Sequence, residues 1–473
     1  MRSVLLAAAL LLASCATHRA TAPAGLPEGK VWIEHLQRDL VPFWTMPDAL
    51  GDPVGNFATF RCHDGRRFDR AAPCPELLQA GAWISENLDR EYVRMQSRQI
   101  YFYAAAYHLT GDLKMLELAD AGARWLREHA VDRVNGGVVS WWVNGKPDPE
   151  PSLRTAQDLA YAQLGPAMLY YVTRDPELLP ELLGVKEHIF RTLDDGGGLL
   201  LWVRDDPAGD EDLRRELVAP LDQVNAYMLL LAPILPEPHR TEWKRDLVRL
   251  ADGMIARYWI EDEGMFRGTL HEPKLLGSRH TDFGHTIKAL WMIERIGQLT
   301  GRGDLVDFSR RNGARVLHRA WIPESGCWAT SIRENGELDR TLVWWSFAEL
   351  DQMAATLALS DASAARPLPA SSRCWFGKMV DPVHHEVWGF VNPDDPSKHF
   401  AKAHLWKNGY HTAEHALVGY LTAQALHGKP SQLWFAFAET PEGDELRPYF
   451  FKGRVQAIER QRNGTRVTFD RLQ

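Results

Sequence analysis

The chain is poor in the residues that build metal and cofactor sites. Only five of its 473 residues are cysteine, and neither Cys-x-x-Cys nor His-Glu-x-x-His occurs. No metal centre is expected from that inventory. Gly-rich phosphate loops and dinucleotide fingerprints are missing too, so no cofactor is expected. Past residue 25 no stretch reaches the roughly 18 apolar residues that a membrane-spanning helix needs. Basic blocks are also missing: 54 Lys and Arg stand against 62 Asp and Glu, a net charge of −8. That balance argues against nucleic acid as a partner. With 45% apolar and 25% charged residues, the chain is neither disordered, collagenous nor a generic coiled coil. Its length allows two to four domains or one large repeated fold. What is plentiful is tryptophan, at 18 residues. Its flat apolar face and single N–H donor suit sugar stacking as well as core packing.

The first residues read as an address. Arg2 precedes the short apolar run Leu5 to Leu12, and Leu12-Ala13-Ser14-Cys15 follows. This resembles a bacterial lipobox, in which Cys15 becomes the lipidated N-terminus; the bland alternative is an ordinary signal peptide. The expected organisation is a lipoprotein signal at 1–14, a tether at 15–29, a helical body at 30–425 and a β-rich appendage at 426–473. The expected location is a bacterial membrane surface facing the periplasm, reached through the lipid anchor alone. In that oxidising compartment Cys62, Cys74, Cys327 and Cys374 can pair in three ways, and Cys62–Cys74 is preferred as a short loop.

From about residue 30 to 420 the apolar period is mostly helical. A phrase that closes one helix and opens the next recurs. It reads Tyr107-His108-Leu109-Thr110-Gly111-Asp112, then Tyr171-Val172-Thr173-Arg174-Asp175, then Gln298-Leu299-Thr300-Gly301. Thr110 to Thr173 is 63 residues and Thr173 to Thr300 is 127, close to two periods. Such a period fits a helical hairpin, and the body holds about six. Closed in a ring they form an (α/α)6 barrel, all-α; left open they form a solenoid. Short strands are expected at 138–142 and 199–203, walling one mouth, and at 433–439, 449–459 and 466–469 in the tail.

Four segments concentrate chemistry. Arg94 and Arg98 lie one turn apart on a helix, and a buried Arg needs a partner. In Asp282-Phe283-Gly284-His285, Asp282 or Thr281 caps a helix on which His285, Lys288 and Met292 share a face. A neutral His beside a Lys cation is a suitable general base near pH 7. Trp345 and Glu349, one turn apart, form an aromatic platform with a carboxylate. Lys402, Trp406, Lys407, Tyr410, His411, Glu414 and His415 form a polar cluster too dense to read as core.

These four segments, in this order, resemble the N-acylglucosamine 2-epimerase superfamily, which includes cellobiose 2-epimerases and mannose-type aldose–ketose isomerases. The resemblance covers roughly residues 30–420 and implies an (α/α)6 barrel. Arg98-Gln99, Gly284-His285, Trp344-Trp345 with Glu349, and Trp406-Lys407 with Tyr410-His411 are similar to the family's motifs. They imply His285 and His411 as acid/base groups and Arg98 near the reacting oxygens. The implied reaction is C2 epimerisation or aldose–ketose isomerisation at a sugar reducing end, through an enediolate and without a cofactor. Trp345, Glu349, Lys288, Asn225, Asp158, Trp406 and Lys402 are the implied substrate-binding residues. The chain departs from the pattern where Lys288 replaces a Glu, and where 221–228 lacks a His-x-x-Glu and leaves Asp222 or Asn225 to substitute. Two other classes remain open: a hydrolase or lyase using Glu349 with Asp282 or Glu414, and a non-catalytic sugar-binding lipoprotein. The oligomeric state is unassigned.

Overall fold

The computed structural model describes residues 22–148, 150–205, 214–271, 275–439, 441 and 445–473. Cys15 and the rest of the leader lie outside the described residues. Among those described, twelve helical segments alternate between an outer and an inner layer. The inner helices are Val93–Thr110, Ala156–Thr173, 218–231, Phe283–Thr300, Trp344–Ala358 and Tyr410–Leu426. The outer ones are 29–44, Leu113–His129, Leu179–Thr192, His239–Tyr258, Gly303–Ala320 and 368–379. Inner helices begin 61 to 66 residues apart. Neighbouring inner helices pack together around the ring, and the sixth packs on the first. The fold is an (α/α)6 barrel.

The two layers differ in sequence because they differ in surroundings. Outer helix Leu113–His129 buries Met115, Leu118, Ala119, Gly122, Ala123 and Leu126, one stripe at i, i+3, i+4 spacing. Inner helix Val93–Thr110 is buried at every position from Val93 to Leu109. Its polar residues therefore need partners inside the barrel. Ser97 illustrates the solution. Pro166, inside the second inner helix, cannot donate to the carbonyl of Ala162 four residues back. The Ser97 hydroxyl donates to that carbonyl at 3.0 Å and accepts from the Gly165 amide at 2.9 Å. Gly165 is what lets the helices come this close, because a Cβ there would lie 2.3 Å from the Ser97 carbonyl oxygen.

Connections of two to nine residues lead from the first five inner helices to the outer helix that follows, whereas connections of 23 to 48 residues precede every inner helix. Asp112 caps the second outer helix by accepting from the Lys114 amide at 3.0 Å. The long connections carry the small strands and gather at the N-terminal mouth. Trp141–Val143 pairs with Arg90–Tyr92 and Lys146–Asp148. The expected strand at 199–203 does not form; Leu200 makes only an isolated bridge to Asp194, and the chain here turns too tightly around Gly196 and Gly198 for a ladder. Disulfide Cys62–Cys74 closes a loop within the first of these connections, and Cys327–Cys374 ties the fifth to the outer helix 368–379, with Cα separations of 5.9 and 5.7 Å.

The tail closes the opposite mouth. Its antiparallel sheet runs Ser431–Phe435, Gly464–Asp470, Arg454–Gln461 in spatial order. Tyr449 lies in the connection between Ser431–Phe435 and Arg454–Gln461, not in a strand, with φ of 59°. The tail is bonded to the C-terminal ends of the inner helices. His108 Nδ1 donates to the Trp434 carbonyl at 2.8 Å, and the hydroxyls of Tyr107 and Tyr171 donate to the carbonyls of Phe435 and Arg447 at 3.0 and 2.5 Å. No described helix is long and apolar enough to cross a membrane.

Candidate active site

Side chains from the first two turns of all six inner helices meet one another at the N-terminal mouth. Arg94 of the first pairs with Asp158 of the second. Gln157 and Tyr161 of the second donate to Asp222 of the third at 2.7 and 3.0 Å. Lys288 of the fourth donates to the same carboxylate at 2.8 Å. His285 packs on Trp345 of the fifth, Glu349 of the fifth faces His411 of the sixth, and Asn225 of the third donates to the Tyr410 hydroxyl at 2.9 Å. Six helix N-termini thus surround one space. Their dipoles favour negative charge that develops there.

His285 is held from two sides. Asp282 caps the helix by accepting from the His285 amide at 2.7 Å, and its other oxygen lies 2.7 Å from Nδ1. A carboxylate only accepts, so Nδ1 carries the proton and Nε2 is left as the basic edge. The imidazole packs on Trp345 with ring centroids 4.5 Å apart. Gly284 permits this, because a Cβ there would lie 2.6 Å from the Trp345 ring. His280, tilted against His285 with ring centroids 4.8 Å apart, is pushed down to about 3 by burial and by the neighbouring His285 and Arg279.

His411 also lies against Trp345, tilted to it with centroids 6.1 Å apart. Its Nδ1 is 3.4 Å from Glu349 and 3.9 Å from Glu414. Burial, with the cations Arg98, Lys288 and Lys407 and the ring of His285, holds it well below the usual imidazole range. Burial and the neighbouring Glu414 push Glu349 well above the usual carboxylate range. Arg98 stacks on Tyr161 at 4.0 Å and donates to the Trp406 carbonyl. Arg94 stacks on the Trp406 ring at 4.0 Å.

Other sequence-based expectations fall differently. Lys288 is paired with Asp222 of the third helix and Tyr161 of the second. Burial opposes its charge, but Asp222, Tyr161 and Glu349 more than offset it and hold the ammonium above its usual range. Asp158 is occupied by Arg94. Lys402 is a correction: it is fully buried, and its ammonium donates to Asp381 and to the carbonyls of His385 and His384 at 2.7, 2.8 and 3.4 Å. With its three donors occupied, it serves the loop and leaves none for substrate. His415 is structural, bonded to Asp351 at 3.1 Å. Residues that the sequence reading undervalued are Asp282 as an orienting carboxylate, Tyr161, Gln352 and Tyr449. A cap three residues before a His is a usable signal for the first. Tyr449 carries none, since only the fold returns the tail to the barrel floor.

Two imidazoles gathered at one tryptophan, with an arginine beside them at one mouth of an (α/α)6 barrel, define a carbohydrate-processing barrel. The N-acylglucosamine 2-epimerase (GlcNAc 2-epimerase) family matches residues 76–389, and the chain belongs to that family of epimerases and isomerases. It is 23% identical over 332 residues to a cellobiose 2-epimerase of Ruminococcus albus, covering 67% of this chain and 77% of that one. It is 22% identical over 419 residues to the N-acylglucosamine 2-epimerase of Mus musculus, covering 81% and 89%. A crystal structure of D-mannose isomerase superposes with a TM-score of 0.68 at 15% identity, covering 85% of this chain and 99% of that one, a likeness of fold. His411 and Tyr449 both lie beyond the stretch matched to the family.

Proposed function

We propose that the protein is a sugar 2-epimerase or aldose–ketose isomerase that moves the C2 proton of a ring-opened mono- or oligosaccharide reducing end between His285 and His411. The observation that carries this reading is that both imidazoles, His285 and His411, meet at Trp345, at 4.5 and 6.1 Å between centroids. The C2 proton is acidic because removing it spreads the charge onto the C1 oxygen as an enediolate. His285 Nε2 takes the proton, since Asp282 fixes its tautomer. Arg98 and the helix N-termini stabilise the oxyanion. Returning a proton to C2 from the His411 side gives the epimer; returning one to C1 gives the ketose. Trp345 supplies an apolar face for the sugar ring. The hydrolase reading is disfavoured, because Glu349 and Glu414 are fully buried behind His411 and Asp282 is engaged with His285.

The test is incubation with mono- and disaccharides in D₂O, following C2–H exchange by NMR. Exchange that is lost in both His285→Ala and His411→Ala supports the reading. A wild-type protein that exchanges no sugar overturns it. We also propose that Cys15 anchors the mature protein to a membrane facing the periplasm. Leu12-Ala13-Ser14-Cys15 supports this, as do two disulfides suited to an oxidising compartment. Cys15→Ser should leave the protein unprocessed or free of the membrane fraction; unchanged membrane attachment overturns the anchor.

A further inference from the structure

Behind His411 three buried polar atoms have no hydrogen-bond partner: Glu349 Oε1, Glu414 Oε2 and His411 Nδ1 itself. They converge, since one ligand-type atom from each residue lies within 4.8 Å of the other two. The remaining oxygens of the two carboxyls are satisfied. Gln352 donates to Glu349 Oε2 at 3.2 Å and Tyr449 donates to Glu414 Oε1 at 2.6 Å, itself accepting from Tyr101 at 2.9 Å. Two ionised carboxylates this close in a buried site repel strongly, so one proton is retained between them.

Charged and titratable groups surround the cluster on every side. Arg98 and Tyr101 come from the first inner helix, Tyr161 from the second, Asp222 from the third, His285 and Lys288 from the fourth. Tyr410 comes from the sixth, Lys407 from the loop before it and Tyr449 from the tail. The balance resists a positive charge on the imidazole and favours a proton on the carboxyls. His411 is held well below its usual range by burial and these cations, whereas burial raises Glu414 to about 7.

We propose that Glu349 and Glu414 hold one shared proton, and that His411 works as a neutral relay between that proton and C2 of the sugar; this rests on the epimerase or isomerase reading. When the relay donates, the carboxyl O–H bond breaks and its proton bonds to Nδ1. At the same time the Nε2–H bond breaks and that proton bonds to C2, using the electron pair of the enediolate double bond. One proton enters the ring and one leaves, so the imidazole changes tautomer without becoming charged. The negative charge passes from the enediolate to the carboxyl pair. In reverse, Nε2 takes the C2 proton and Nδ1 returns its own to the carboxylates. Glu349 and Glu414 are positioning residues that act through His411, and Tyr449 brings the C-terminal tail into the proton inventory of the site.

The experiment pairs two substitutions with opposite expected shifts, made in the full chain. In Glu414→Gln, Glu349 loses the neighbouring carboxylate that raises its pKa. The shared proton is then lost at lower pH. The alkaline limb of kcat/KM moves down, and turnover at pH 7 falls on the order of 10²-fold. In Tyr449→Phe the hydrogen bond that lowers Glu414 is gone, and the limb moves up. The ¹⁵N shifts of His411, read without any sugar, should show a neutral ring at pH 7 whose tautomer balance changes near pH 7 in wild type and not in Glu414→Gln. An imidazolium at pH 7, or a limb that neither substitution moves, overturns the relay. If the ¹⁵N shifts are as expected but no sugar exchanges its C2 proton, the shared proton stands and the sugar function falls.

Discussion

Lys288 and Asp222 form a buried ion pair, 2.8 Å between Nζ and Oδ1, that ties the fourth inner helix to the third. Both side chains are nearly inaccessible, at 3% and 2%. Lys288→Met should therefore strand a buried carboxylate and cost about 3–5 kcal/mol, read by chemical denaturation. Adding Asp222→Asn should recover much of that loss. The pH window follows from the two shifts. Despite burial, Lys288 holds Asp222 below its usual value, so its stabilisation is lost only as pH falls through that lowered pKa. Lys288 is raised, so its share is lost only as pH rises through the raised pKa. The pair's contribution should be flat from about pH 4 to about pH 10.

Asp282 has two separable duties, and Asn separates them. An Asn at this position still caps the helix, so stability should change by less than about 0.5 kcal/mol. Its amide can no longer hold the Nδ1–H tautomer of His285 as a carboxylate does. Turnover should fall on the order of 10²–10⁴-fold with little change in melting temperature. Steady-state kinetics beside calorimetry checks both halves.

Arg98→Lys keeps a cation but gives up the flat contact with Tyr161 at 4.0 Å. The planar guanidinium is the group that can stack and still donate to the Trp406 carbonyl. A loss of about 1–2 kcal/mol in transition-state stabilisation is expected, on the order of 10-fold in kcat/KM. Unchanged kinetics would remove Arg98 from the reacting centre.

His108 predicts how the tail responds to acid. It is fully buried, donates Nδ1–H to the Trp434 carbonyl, and burial lowers it to about 4. The unfolded imidazole protonates near pH 6.5, so the unfolded state binds the extra proton first. The contribution of His108 is complete above about pH 6.5 and is lost progressively down to about pH 4, at up to about 1.4 kcal/mol per pH unit. His108→Gln should flatten the fall in unfolding free energy between pH 6.5 and 5, measured by denaturant titration.

The ring of helical hairpins was legible in the chain because burial period and helix punctuation are local. The Thr-Gly-Asp phrase marks where an inner helix ends and an outer one begins, and its 63-residue spacing is a property of one hairpin. The motif residues His285, Trp345 and His411 were legible as chemistry for the same reason. What those residues touch was not. Lys288 reads as a neighbour of His285 on one helix face, yet its ammonium is bonded to Asp222, 66 positions away. Lys402 sits in the densest polar stretch of the chain, yet its charge is used up holding a loop. Tyr449 reaches Glu414 only because the tail folds back under the barrel. Local sequence determines which backbone groups pair within a helix and which face is apolar. Partner choice among buried charges is a long-range outcome, decided by how six inner helices close and which side chains must be satisfied inside the ring.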